Sequence, residues 1–452
     1  MTSITTHTMR IHRQLFIGLM LLCPVTAALA QEEGDNELTV DVNMLGHGEM
    51  RLGGLNDEAT LGDETNKDKD NAYFLMQRSR LTIDYKRTGL ETKVTAQHSG
   101  VWGQKGKGNF NLFEAWVKLS TKQGLFAQIG RQALSYDDER IIGPNDWAVA
   151  TLSHDVLRLG YEGHDHKVHA ILSYNQNDEN TYGGTYYNGG DQPYKTMHTL
   201  WYHYDLPKTP LGASVLFMNI GMQAGKEDGE GDNTPRTNYQ QVLGGYLSYK
   251  PKNMSVEASY YHQMGKDEHG IKIDSWMASV RSKWELSERA SLTAGYDYLS
   301  GDDQFPVPGQ GQIGLTRLSV IHGFNPVYGS HHKFYGLMDF FYVSTYVNGF
   351  TPGLQNLYVG GTYSPLKGLK LGITYHYMAM ATKLSNMNRT LGHDIDLEAS
   401  YQIMKDVRLS AGFSFMSGTE SMEKLKRATQ NSNLRWGWFS LVVNPRIFST
   451  KW

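Results

Sequence analysis

The feature that most constrains the fold is a repeated segment in which apolar and polar side chains alternate. It occurs in "NLFEAWVKLS" from residue 111, "LKLGITYHYM" from residue 369 and "HDIDLEASYQ" from residue 393. Successive side chains of a β-strand point to opposite faces, so each segment has one apolar and one ionised face. The strands of a soluble β-sandwich also alternate apolar and polar side chains, so a sandwich is the competing interpretation. Strands of about ten residues, aromatic residues at strand ends, and short turns alternating with long polar loops favour a transmembrane β-barrel.

The number of strands follows from the order of the turns. Roughly nineteen windows alternate, whereas single-chain bacterial barrels have an even number of strands. Tight links such as "KRTG", "TKQG" and "IMKD" belong on the periplasmic side. A strand at 333–345 would place the tight link "SPLKG" outside, so we assign this window to the preceding loop. The sequence therefore predicts an antiparallel all-β barrel of about eighteen strands, with long extracellular loops folded toward the lumen.

The first thirty residues resemble a cleaved export signal. Arg10 and Arg13 precede an apolar run, and "ALA" stands before Gln31. The single cysteine, Cys23, lies in this segment, which excludes disulfides from the mature chain. We expect one barrel domain over residues 31–452. The formal net charge of −3 does not favour nucleic-acid binding.

Two long loops are the candidate functional segments. The loop at 301–352 contains Phe334, Leu337, Met338 and Phe341 at helical spacing, which predicts a short helix inside it. The loop at 133–153 carries charges of both signs. It can fold inward only if those charges are paired, because burying an unpaired charge is costly. A constriction loop, a structural brace across the mouth and a catalytic loop are the alternatives.

Charged side chains on the strands are expected to face the lumen, because charges are costly on the lipid side. Rings of charge at a constriction select solutes. Two pairs of basic residues, Arg78 with Arg80 and Arg281 with Lys283, are each spaced two residues apart and therefore share a face. They predict an anion-attracting wall, and generic solvation of the lumen is the alternative. The candidate pore-lining and constriction residues are Arg78, Arg80, Arg131, Asp137, Asp138, Arg140, Asp146, Arg158, Arg281 and Lys283.

Other classes of site have weaker support. Histidines such as His154, His169, His331 and His332 are plentiful, but none stands in a nucleophile-plus-base arrangement. We predict no catalytic residue, no metal ligand and no cofactor. A structural Ca²⁺ bound by the acidic loops "GDETNKDKDN" and "GKEDGEGDN" remains an open alternative, although neither loop matches a twelve-residue calcium loop. An outer-membrane enzyme and an adhesin remain the alternatives to a channel.

Five stretches carry a family resemblance: "IGRQALSYDDERIIGPNDW", "HDVLRLGYE", "TAGYDYLSGDD", "FNPVYGSHHKFYGLMDFF" and "GLQNLYVGGTYSPLKGLKLG". They resemble the alginate-export-type outer-membrane β-barrels, a family that includes porins. The resemblance covers most of the mature chain in order. It implies an eighteen-stranded barrel with loops folded into the lumen. An alginate exporter would have an arginine-rich lumen, whereas the charges on the strands here are of both signs.

We therefore expect a bacterial outer-membrane channel for passive diffusion of small hydrophilic solutes, with anions or saccharides as candidates. Polysaccharide export of the alginate type is the alternative. The expected partners are the small solute, outer-membrane lipid and lipopolysaccharide, and the barrel-assembly machinery, which would read the final strand ending in Trp452. A monomer is expected rather than a trimer.

Overall fold

The structure is a computed structural model that describes residues 36–53, 71–106, 108–147, 149, 151–177, 179, 187, 189–224, 236–303, 319–341, 351–385, 387–426 and 433–452. The proposed export signal and both acidic loops named above, apart from Asn71, lie outside these residues. No helix among the described residues is long and apolar enough to cross a membrane.

The described residues form one closed antiparallel barrel of eighteen strands. Strand β1 closes it, because β1 pairs with β2 on one side and with β19 and β20 on the other. β19 and β20 are two parts of one barrel strand, separated at Asn444 and Pro445, and proline cannot donate a ladder hydrogen bond. The two-residue β14 belongs to a loop and pairs in parallel with β12. The strands are β1 Glu37–Leu52, β2 Ala72–Arg87, β3 Leu90–Val101, β4 Asn109–Ser120, β5 Leu125–Gln132, β6 His154–Glu162, β7 His166–Tyr174, β8 Thr196–Asp205, β9 Leu211–Ala224, β10 Arg236–Tyr249, β11 Met254–Lys266, β12 Lys272–Ser287, β13 Ala290–Leu299, β14 Val320–Ile321, β15 Leu354–Leu366, β16 Leu369–Ala379, β17 Thr390–Met404, β18 Val407–Gly418, β19 Asn433–Val443 and β20 Arg446–Lys451.

The strands alternate between a lipid-facing and a lumen-facing side chain. In β17, Ile395 and Leu397 are 39% and 44% exposed on the outer wall, whereas the alternate residues Asp394 and Asp396 are buried inside. Lipid can cover the exposed apolar face, and closure leaves no unpaired strand edge. The first and last described residues meet at the rim that carries the short turns, where the Asn36 backbone N donates to the Trp452 carbonyl oxygen at 2.9 Å.

The apolar core lies inside the barrel and contains loop residues. We call residues 133–153, between β5 and β6, inner loop 1, and residues 319–341, between β13 and β15, inner loop 2. Leu134, Ile142, Phe324 and Phe341 of these loops are almost completely buried among lumen-facing strand residues. The prediction that long loops fold toward the lumen is confirmed for both segments.

The predicted short helix in inner loop 2 is wrong in its position and type. A single 3-10 turn spans His331–Lys333, and the following residues form turns. Tyr335 and Asp339 have φ of 67° and 56°, which interrupts a right-handed helix. The apolar side chains at 334, 338 and 341 are nevertheless buried. The sequence analysis missed helix α1, Glu420–Lys426, in the loop after β18.

Candidate functional site: two inner loops across the lumen

Two arginines of β2 point into the lumen and hold inner loop 1. Arg78 and Arg80 lie on the face opposite to the exposed Leu81. Arg80 Nη1 lies 2.8 Å and Arg78 Nη1 3.1 Å from Oδ1 of Asp146 in the loop. Arg80 Nη2 also donates to Thr151 Oγ1 at 3.0 Å. This basic pair is therefore partly neutralised by the loop that it anchors.

The residue after Asp146 attaches the same loop to another part of the wall. The Trp147 ring stacks on His332 of inner loop 2, with 3.5 Å between ring centroids. His47 of β1 and Trp436 of β19 lie 5.2 Å and 5.7 Å from the same ring. Trp147 thus joins both inner loops to the seam where the barrel closes.

Replacing Trp147 with alanine is expected to free the end of inner loop 1 without unfolding the barrel. Trp147 is partly buried, so its loss should cost less than the about 3–5 kcal/mol of a fully buried tryptophan. Here the cost falls mainly on loop docking, so limited proteolysis should cut inner loop 1 faster. Exposed Trp102, replaced in the same way, is the control. A cleavage rate equal to that of the native protein would contradict the anchoring role.

The centre of the assembly is Arg140, whose side chain is 1% exposed. Its Nη2 lies 2.8 Å from Oδ1 of Asp297 on β13, and its Nε lies 3.0 Å from Oδ2 of Asp138. Nη1 donates to the Tyr335 hydroxyl at 3.1 Å, and the guanidinium lies 4.0 Å from the centre of the Phe334 ring. One buried cation therefore joins inner loop 1, inner loop 2 and the wall.

The surroundings keep this cation charged. Burial alone would lower the pKa of Arg140, but the charges of Asp297 and Asp138, together with Tyr335, hold it well above its usual value. Asp297 is itself fixed by Asn356, whose Nδ2 donates to Oδ2 at 2.9 Å. The opposite charges offset the cost of burying Arg140, so this polar loop can fold inward, as the sequence analysis required.

Backbone hydrogen bonds join the two inner loops directly. Gly143 N donates to Tyr328 O at 2.8 Å, Tyr328 N donates to Ile141 O at 3.1 Å, and Ser330 N donates to Glu139 O at 2.8 Å. The approach is close enough to need a glycine: a Cβ on Gly329 would lie 2.2 Å from the Arg140 carbonyl oxygen. The two loops therefore act as one packed unit.

Inner loop 2 is attached to two further strands of the wall, β11 and β17. Gln263 of β11 donates to Asn325 O at 2.6 Å and accepts from Asn325 N at 3.0 Å. Leu337 N donates to Oδ2 of Asp396 on β17 at 3.0 Å. Together with the contacts to β2, these bonds place the packed loops across the lumen.

Asp137 points away from the long extracellular loops, toward the rim of the barrel that carries the short turns. Its Oδ1 accepts from the Trp201 indole at 3.1 Å, and burial raises its pKa. It lines a cavity of about 430 Å³ together with Lys167, His203 and Lys250. The cavity presents cationic, acidic and aromatic groups together below inner loop 1.

Glu139 links the inner loops through an ion pair with Lys333 and accepts from Ser135 Oγ at 2.6 Å. Burial alone would raise its pKa, but Lys333 and Ser135 lower it below the usual 4.5. A carboxyl group with a lowered folded-state pKa stabilises above its unfolded pKa, and this contribution is lost as the pH falls through the folded value.

Glu139→Gln is therefore expected to lower the melting temperature at pH 7, and the difference should vanish in strong acid. Thermal melts of both proteins, recorded by circular dichroism from pH 7 to below pH 3, measure it. Exposed Glu420→Gln is the control. A difference that stays constant across the range would contradict the role of the ionised carboxylate.

Three further predicted residues face the lumen, on two other parts of the wall. Arg158 of β6 donates to Gln128 Oε1 at 2.6 Å, and its guanidinium lies 5.3 Å from the Phe126 ring centre. Within the described part of the chain, no carboxylate forms an ion pair with Arg158. Arg281 pairs with Glu257, and Lys283 pairs with Glu285. The second basic pair is thus neutralised by neighbouring acids.

The expectation that Arg131 lines the pore is wrong. In β5, Phe126, Gln128 and Gln132 are buried inside, whereas Ile129 is 57% exposed on the outer wall. Arg131 stands two residues after Ile129 and therefore shares the outer face. Its Nη2 lies 2.7 Å from Oδ2 of Asp155 on the adjacent strand. Its place in the family-like stretch predicts a pore residue, whereas the alternation of side chains along β5 places it on the outer face.

The sequence analysis missed several residues that complete the site. Asp297 is not among the predicted site residues, although it is the main partner of Arg140. His332 was assigned to a loop, and its stacking on Trp147 depends on contacts between distant segments. In the described residues, no group of three or more His, Cys, Asp or Glu side chains is arranged to hold a metal ion.

Comparisons with known proteins identify the fold and the family. The fold is similar to OpdL from Pseudomonas aeruginosa (TM-score 0.59, 11% identity, 91% of this chain and 99% of that chain). It is also similar to a BenF-like porin from Pseudomonas fluorescens Pf-5 (TM-score 0.58, 11% identity, 91% and 99%). A third similar structure is OccK2 from Pseudomonas aeruginosa in complex with glucuronate (TM-score 0.55, 12% identity, 91% and 98%). No curated protein matches the sequence.

A family model described as alginate export matches residues 55–393, which is most of the chain and includes both inner loops. The barrel of eighteen strands, its lipid-facing apolar wall and its inward loops agree with that match. The chain is thus a multi-pass β-barrel of the bacterial outer membrane and belongs to the alginate export family.

Proposed function

We propose that the protein is a passive channel for small hydrophilic solutes, with small anions or saccharides as its cargo and no chemical step. The observation that carries this proposal is the packed unit of two inner loops, fixed across the lumen by Arg140, Asp297 and Asp146. Eighteen strands enclose a wide lumen, and loops of this kind narrow it. A narrow polar passage favours small solutes.

The charges also favour a small solute over an exported polysaccharide. An exporter of a long polyanion needs a continuous row of free cations. In this lumen Arg78 and Arg80 share Asp146, Arg281 pairs with Glu257, and Arg140 is buried. Arg158 stands apart, because among the described residues no carboxylate neutralises it. Isolated cations of this kind suit weak attraction of a small anion better than transfer of a polymer.

A sugar acid is the solute class that fits these groups best. The cavity beside Asp137 combines Lys167 and Lys250 with the rings of Trp201 and His203. Cations suit a carboxylate, and ring faces and hydroxyl-binding carboxylates suit a sugar. A structure of similar fold, OccK2, is in complex with glucuronate. We extend this solute class to the present chain as part of the proposal.

Liposome swelling tests the proposal. Liposomes that carry the purified barrel should swell in glucuronate and in small neutral sugars, and more slowly as the saccharide lengthens. Long alginate chains should not enter. Rapid uptake of alginate chains with little uptake of monosaccharides would favour the exporter. No permeability from a folded barrel would favour an adhesin or an enzyme.

A further inference from the structure

The outer wall carries an apolar groove near the extracellular rim. It lies over β1, β2, β18 and β19 and has a volume of about 840 Å³, within the range of about 300–1,000 Å³ that small-molecule sites occupy. Its floor includes Gly48 and Gly437 on the lipid-facing side of paired strands. The missing side chain of Gly437 leaves the depression, whereas the rings and side chains of Phe439 and Leu75 pack over Gly48.

The sides of the groove are formed by large apolar residues that are open to the membrane. Tyr73 and Trp102 are 66% and 62% exposed, and Phe439 and Phe413 are 50% and 36% exposed. Tyr and Trp prefer the interface between hydrocarbon and headgroups. The groove therefore extends from the outer-leaflet interface into the hydrocarbon, where an acyl chain can fill it.

A cation stands at the extracellular end of this groove. Arg435 precedes Gly437 on the same outward face of β19, two residues or about 6.8 Å nearer the extracellular rim. It pairs in register with Leu52 and Phe415. No acceptor or carboxylate among the described residues binds its exposed guanidinium. Its ligand is expected to come from the membrane.

We propose that the groove and Arg435 bind one molecule of the phosphorylated glycolipid of the outer leaflet, a lipid A type lipid. An acyl chain would lie over Gly437 beside the Phe439 ring, and a phosphate would accept hydrogen bonds from Arg435. A guanidinium matches phosphate geometry, and an apolar groove below it matches the attached chain. A zwitterionic phospholipid has the chain but lacks the net charge.

Native mass spectrometry of the purified full-length barrel tests the site. The protein is titrated in detergent with bisphosphorylated lipid A, monophosphorylated lipid A, phosphatidylglycerol or phosphatidylethanolamine. One tightly bound lipid A per barrel is expected, with weaker binding of the monophosphorylated form and weakest binding of phosphatidylethanolamine. Equal retention of all four lipids would mean an ordinary lipid annulus and would overturn the proposal.

Two variants assign the binding to this groove. Arg435→Gln should weaken bound lipid A about fivefold, since one basic residue near a membrane surface contributes about that much. Gly437→Leu should exclude the acyl chain: a Cβ there meets the flexible Met50 Cε at 2.9 Å, so the side chain can be accommodated while filling the groove.

Matched controls separate the site from general effects. Gly46→Leu adds the same side chain on the same face of β1, where a Cβ meets nothing within 4 Å. Lys367→Gln removes a charge in a periplasmic turn. Both controls should retain lipid A, and heat-modifiable electrophoresis should show that all four variants fold. Unchanged lipid A binding in Arg435→Gln and Gly437→Leu would overturn the proposal, whatever the channel conducts.

Discussion

Arg140→Met is expected to increase the single-channel conductance and to lower the stability of the barrel. Its guanidinium is buried between Asp138 and Asp297, and removing it leaves two carboxylates without their cation. Breaking a buried ion pair from one side costs about 3–5 kcal/mol. Inner loop 1 then loses its attachment to β13. Planar-bilayer recording should show larger and noisier current steps, and thermal melts should shift to lower temperature.

Arg131→Met is the matched control, because Arg131 stands at the start of the same family-like stretch but pairs with Asp155 on the outer face. Its conductance should equal that of the native protein. If Arg140→Met does not fold, Asp297→Asn removes one charge of the same network with a smaller change in shape. Native conductance in a folded Arg140 or Asp297 variant would contradict the role of this network in holding the loops.

Arg158→Glu is expected to shift the channel toward cations. Arg158 lies on the lumen face halfway along β6, and within the described residues no acid pairs with it. An unpaired charge in a narrow aqueous passage acts on a passing ion through an effective dielectric far below that of bulk water. After salt screening we expect about 1 kcal/mol. That corresponds to about a fivefold fall in the anion-to-cation permeability ratio, measured as a reversal potential in a salt gradient.

Lys283→Glu also replaces a lumen-facing cation with an anion, but at an exposed site where the cation is already paired. Lys283 is 43% exposed and pairs with Glu285 near the periplasmic end of β12. Water and salt screen it, so its reversal potential should change little. Equal shifts for the two variants would mean that the overall charge of the lumen sets selectivity and that Arg158 has no special part.

The strands could be predicted closely, because their alternation is a local property of the sequence. A residue two positions from a lipid-facing residue also faces lipid, and a residue one or three positions away faces the lumen. Because Leu81 faces lipid, Arg78 and Arg80 face the lumen. This rule, if applied strictly, would also have placed Arg131 outside, beside Ile129. The order of short and long turns correctly kept residues 333–341 out of the barrel wall.

The pairing of the inner loops could not be predicted, because it joins segments far apart in the chain. Arg140 meets Asp297 and Tyr335, and Trp147 meets His332, only after the barrel has closed and both loops have entered it. The apolar spacing at Phe334 and Met338 indicated burial correctly. It could not distinguish a helix from the turns set by the positive φ of Tyr335 and Asp339.

Planar-bilayer recording of the native protein tests the proposed channel most directly. The barrel is first shown to be folded by heat-modifiable electrophoresis and is then added to a bilayer in a potassium chloride gradient. We predict discrete, stable current steps that become larger in Arg140→Met. A folded and inserted barrel that passes no current in either form would contradict the proposed function.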